Sequence, residues 1–264
     1  MLFNAGDAAA ISEQIFLAPV LMVNSETDDH FILKTSDDIR SKYQEVLMDI
    51  KSRGWDRSVI KGVKIQMSGP DMALVGLTFS RLKKNGEPIP PVKRNATYVF
   101  LRKPAGWRVI MASVQPASGI SDAAGIKTLL QEKMVRYVDL LNGENPAQGV
   151  ANEIYQFPRL SRSFLGAREH KALLSKPDVL ASLSGYLKMM KANGMTEITV
   201  NSTRVYPVSN QLAFVELVSS RVRADGSPIP PAQTPFTYIW VKKPAGWKMI
   251  ATLAQGSHLE SPKK

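Results

Sequence analysis

Cysteine is absent from the chain, which excludes disulfides, zinc–thiolate sites and a cysteine nucleophile, though not any compartment. Histidine occurs only three times, never at metal-ligand spacing, so no metal site is expected. No cofactor is expected either, because no phosphate-cradling glycine loop is present. A Ser-His-Asp order and a carboxylate pair at useful spacing are missing as well. The longest apolar run, Ile15 to Val23, contains Pro19 and is too short to span a bilayer. The first residues, Met1 to Asp7, lack a basic region and a long apolar core. As they stand they are no signal peptide, which favours the cytoplasm; a mature form with its signal removed stays open. No block of five like charges appears and no RNA-recognition signature is visible. The net charge of +11 permits polyanion binding but equally describes a solvated surface, so nucleic acid is not an expected partner.

Apolar residues make up 44% of the 264, enough for cores of ordinary size and against disorder. A repeat organises them. Ser80-Arg81 followed by Asn85-Gly86-Glu87-Pro88-Ile89-Pro90-Pro91 returns as Ser220-Arg221 followed by Asp225-Gly226-Ser227-Pro228-Ile229-Pro230-Pro231. At the same offset of 140, Thr97-Tyr98 meets Thr237-Tyr238 and Lys103-Pro104-Ala105-Gly106-Trp107 meets Lys243-Pro244-Ala245-Gly246-Trp247. His30 meets His170, Asp38 meets Asp178 and Gly54 meets Gly194. A period this long is a duplicated domain, not a solenoid. Pro, Ser, Gly, Asp and Ala cluster from Gln115 to Gly125, so the domains are placed at residues 1–115 and 126–256, with a polar, frayed end from Ser257 to Lys264.

Each copy reads as helices first and strands after. Ile126, Leu130, Met134, Val138 and Leu141 form one helical face that stops at Asn142-Gly143. A second helical stretch runs from Pro146 to about Tyr155, matched in copy one by Asp7 to about Leu17. Ser36 is the expected N-cap of a helix reaching Gly54, and Ser175 of one reaching Gly194. Alternation then marks about four antiparallel strands, turned at Asn85-Gly86 and Asp225-Gly226. The order implies an α+β fold, helices covering one face of a curved sheet.

With Asn4-Ala5-Gly6-Asp7 and Asn142-Gly143-Glu144-Asn145 after the first helical segments, Pro19 and Pro158 heading strands, and Gly106-Trp107 and Gly246-Trp247 near the ends, the chain resembles the NTF2-like superfamily. Ketosteroid isomerase, scytalone dehydratase and the SnoaL-like proteins are members. The resemblance implies two tandem α+β cones, and because such domains commonly dimerise through their sheets, an intramolecular pseudo-dimer. Copy one has only Met1-Leu2-Phe3 where copy two has a full helix. Either its start lies upstream or something else covers that patch.

The candidate ligand-binding residues are Tyr98, His170, Glu216, Tyr238 and Trp240. Tyr98, Phe100, Tyr238 and Trp240 alternate on one face of equivalent strands, fit to line an apolar pocket or a sheet–sheet core. Glu216 lies among apolar strand residues; facing a cavity, it would carry a raised pKa and act as a base, and facing outward it would be solvated. His30 and His170 precede the capped helices with unlike neighbours, Asp28-Asp29 and Arg168-Glu169. Arg81 and Arg221 suit an anion or a strand-end surface. Trp107 and Trp247 read as packing, and the Pro-Ile-Pro-Pro segments as rigid turns. The copies thus agree in frame and differ in reactive groups. That pattern favours a non-catalytic binding module for a small apolar molecule or a protein partner. The alternative is an isomerase, dehydratase or cyclase working by proton abstraction in the second cone, through Glu216, His170 and Tyr238. Whether the chain is an enzyme stays open.

Overall fold

The computed structural model describes residues 2–24, 29–117, 119–163 and 169–255. The terminal segment 257–264, expected to fray, lies outside them, as do Asp28 and Arg168. Two compact units result, Met1–Gly119 and Ile120–Lys264. In the first, α1 (Leu2–Ala5) and α2 (Ala8–Ala10) lead through a π-type turn (Ile11–Ile15) to β1 (Phe16–Asn24) and β2 (His30–Leu33). Then come α3 (Ser36–Ser52), β3 (Trp55–Met67), β4 (Met72–Lys83), β5 (Arg94–Lys103) and β6 (Gly106–Pro116). In the second, α4 (Ala123–Asn142) and α5 (Pro146–Glu153) precede β7 (Tyr155–Arg162), β8 (His170–Leu173) and α6 (Lys176–Ala192). The strands β9 (Glu197–Pro207), β10 (Leu212–Val222), β11 (Thr234–Lys243) and β12 (Gly246–Ala254) close it.

Both sheets have six strands, in the orders β2-β1-β6-β5-β4-β3 and β8-β7-β12-β11-β10-β9. The four-strand antiparallel meander is present in each. Two further strands extend it, because the apolar runs around Pro19 and Pro158 pair parallel to the last strand, β1 with β6 and β7 with β12. Parallel pairing needs a long crossover, and the intervening helix and meander supply it.

Local chemistry fixes the helix ends. Thr35, not Ser36, caps α3: its hydroxyl accepts from the Asp38 amide while Asp38 accepts from the Thr35 amide, a reciprocal capping box. Ser175 and Asp178 repeat the arrangement on α6. The backbone amides of Thr35 and Lys34 hold the Asp38 carboxyl below its ordinary range. Gly54 and Gly194 end these helices at positive φ (81° and 86°), where a side chain would be strained.

The asparagines of the shared motif have a matching task. Asn142 Nδ2 donates to the Ile198 carbonyl (2.9 Å) and its Oδ1 accepts from the Ile198 amide (2.9 Å), so one side chain pins the end of α4 to β9. Asn4 does the same to Ser58 on β3, at 3.1 and 3.0 Å. Both helix ends are therefore tied to the sheet by satisfying a peptide group that its strand leaves open.

Above that tie the copies part. The α4 stripe of Ile126, Leu130, Met134, Tyr137 and Val138 is buried in the core of the second unit, together with Val205, Leu217, Tyr238 and Trp240. The counterpart α1 has four residues and buries none of them. On β3, Val63 and Ile65 are 57% and 65% exposed, whereas Val205, the counterpart of Ile65, is 8% exposed.

A tyrosine and arginine chamber in the second unit

The inward face of the second sheet, roofed by α4 and α6, encloses a chamber of about 510 Å³ that opens to solvent. Period-two alternation on β10 sends Leu217, Ser219 and Arg221 into it. Tyr137, Val138 and Leu141 reach it from α4, and Val179, Leu183 and Tyr186 from α6. Tyr155 and Arg159 come from β7, Phe236 and Tyr238 from β11, Thr252 from β12. Exposed Glu169 and Lys171 stand at its edge.

Four tyrosines meet here. The Tyr137 and Tyr155 hydroxyls lie 3.2 Å apart, and the Tyr137 ring meets Tyr238 edge-on at 5.6 Å. Burial, reinforced by Tyr155, lifts the Tyr137 phenol well above its ordinary value. Burial lifts Tyr238 as well, and Tyr186 against the opposing pull of Arg221. Tyr137, Tyr186 and Tyr238 therefore stay neutral across the ordinary pH range and offer O–H donors on apolar bodies.

Arginines supply the charge. Arg159 is 2% exposed, and its guanidinium lies over the Tyr155 ring at 3.4 Å. Its Nη2 donates to Thr252 Oγ1, and Nε is buried without a hydrogen-bond partner. Arg221, also 2% exposed, donates from Nε to the Tyr186 hydroxyl (2.6 Å) and from Nη1 to Thr234 Oγ1 (2.6 Å). Arg162 lines the same chamber and donates to the Ala254 carbonyl at 2.8 Å.

Of the five candidates read from the sequence, Tyr238 alone lines the chamber. Glu216 alternates to the other face of β10, where the Tyr206 hydroxyl donates to its carboxylate at 3.0 Å. Trp240 is fully buried in the core of the second unit. His170 is buried at the start of β8, opposite Arg162, and is not among the lining residues. Tyr98 belongs to the first unit, edge-on to Phe100 at 6.2 Å. Tyr137, Tyr155, Tyr186, Arg159 and Arg162, none of them a candidate from the sequence, also line the chamber. Among the described residues no group of three or more His, Asp or Glu could hold a metal ion, and no helix is long and apolar enough to cross a membrane.

The two α+β units share one architecture, a six-stranded sheet in the same strand order with its helices. The family model described as NTF2-like protein (DUF6841) matches residues 2–117 and again 122–257, and the chain belongs to that family. Among solved structures, it is similar to an NTF2-like protein with a cystatin-like fold from Novosphingobium aromaticivorans. That match has 17% identity and a TM-score of 0.37, covering 47% of this chain and 79% of that one. It is also similar to a putative dehydratase of the NTF2-like family from Streptomyces avermitilis, with 21% identity, a TM-score of 0.34, and coverage of 45% and 87%. A domain of unknown function with a cystatin-like fold from Nostoc punctiforme gives 14%, 0.36, 53% and 87%. No curated protein matches the chain.

Proposed function

We propose that the second unit is a binding module for a small organic molecule held in its chamber. The observation that carries this reading is the chamber itself: about 510 Å³, walled by apolar side chains and neutral phenols, and roofed by helices. The residues of the acid–base alternative do not converge, since Glu216 and Tyr238 project from opposite faces of the sheet and His170 lines neither the chamber nor its edge.

Gly185 provides the test. It sits in α6 at the chamber's edge, and a Cβ there meets nothing within 4 Å. Gly185→Ala is expected to raise stability by about 0.5–1 kcal/mol, the usual gain at a helix-interior glycine. Gly185→Phe is expected to crowd the opening. Small aromatic compounds screened by ligand-observed NMR against the full chain should bind the wild type and the alanine variant and lose binding to the phenylalanine variant. Equal binding to all three, or binding to none, would overturn the reading.

A further inference from the structure

The duplicated frame shows which polar groups the fold does not require. Val20 pairs with Leu33 in the first unit as Arg159 pairs with Leu173 in the second, so the two occupy one position. Val23 pairs with His30 as Arg162 pairs with His170. On the last strand, Ala112 beside Met22 corresponds to Thr252 beside Ser161. Phe16 beside Val109 corresponds to Tyr155 beside Met249. At four neighbouring places an apolar residue of the first unit is thus matched by Arg, Arg, Thr and Tyr in the second. All four face the chamber.

Val20 is fully buried and belongs to the first unit's core, so this position is satisfied by an aliphatic side chain. At the same place Arg159 carries a full charge at 2% exposure. Among the described residues its polar contacts are a hydroxyl and a thioether, with no carboxylate in ion-pair reach and Nε left over. A buried guanidinium is costly unless an anion or several acceptors meet it. Its planar fork matches a carboxylate in two-point geometry. Among the described residues the chamber's other lining charges are Arg162, Arg221 and Lys171, against Glu169 at the edge.

We infer that the second chamber takes a small organic acid, its carboxylate on the Arg159 guanidinium and its apolar body among the tyrosine rings. This rests on the chamber being a binding site. Tyr155 beneath the guanidinium and Thr252 beside it hold the fork in place, and the neutral phenols are donors for any further oxygen of the ligand.

The test is calorimetric titration of the full chain with 2-naphthoate and with its uncharged amide, 2-naphthamide, at pH 7. The acid is expected to bind at least about tenfold more tightly, as a charge-assisted bidentate contact outweighs a neutral one. Arg159→Met should bring the acid down to the level of the amide. Arg159→Lys, which keeps the charge and loses the fork, should fall between. The wild-type comparison decides the matter even if a variant fails to fold. Equal or tighter binding of the amide, or a preference that survives Arg159→Met, would overturn the inference. If Gly185-sensitive binders exist and none prefers its acid form, the chamber reading stands and this inference falls. If nothing binds, both fall.

Discussion

Leu130→Ala is expected to destabilise the second unit by about 2–5 kcal/mol, the range for removing a fully buried leucine and leaving a partly collapsed void. Leu130 is 0% exposed at the middle of the α4 stripe, between Ile126 and Met134. Its side chain joins the helix to a core that contains Trp240, Leu217 and Val205. The first unit has its own core around Val20, Ile39, Leu47 and Val109. Denaturation, followed at the two cores, should therefore show unfolding at lower denaturant than in the wild type. Tryptophan reports on both, through Trp55 in one core and Trp240 in the other. A change below about 0.5 kcal/mol, the size of a surface substitution, would mean that α4 does not close this core.

The second large effect separates stability from binding at one residue. Arg159→Met exchanges a buried charge that has no ion-pair partner among the described residues for a shorter apolar side chain of similar volume. Replacing buried charges by apolar groups of like volume is often neutral or stabilising by about 1–4 kcal/mol. The same position is already filled by valine in the first unit. The variant should be at least as stable as the wild type to thermal unfolding while losing its preference for organic acids. Such a trade is expected where a site is held in a costly state for function. A loss of 3 kcal/mol or more would identify Arg159 as a structural strut between Tyr155 and Thr252.

Much of the frame was legible because it is repeated. The turn glycines, the capping-box aspartates Asp38 and Asp178 and the Asn4 and Asn142 ties sit in matching positions with matching chemistry. The first and seventh strands were harder to read. An apolar run broken by Pro19 or Pro158 has no clean alternation, and its pairing with β6 and β2, or with β12 and β8, defines it as a strand. The site was largely hidden for a related reason. The offset of 140 that aligns the strands from Gly54 onward becomes 139 around Pro19 and Pro158, so Val20 does not fall opposite Arg159 in a rigid register. Following that one-residue shift would have exposed the exchange of Val20 and Val23 for Arg159 and Arg162. Glu216 was ambiguous because both faces of β10 are apolar: Phe214 flanks it on one, Val215 and Leu217 on the other. Burial on both sides of a strand removes the alternation that tells inside from outside.

The most direct test is a high-resolution crystal structure of the full chain soaked with 2-naphthoate. The ring system is expected among Tyr137, Tyr155 and Tyr238, with both carboxylate oxygens within hydrogen-bond distance of Arg159. Ordered ligand on the exposed β3 face of the first unit, with the second chamber empty, would contradict this assignment.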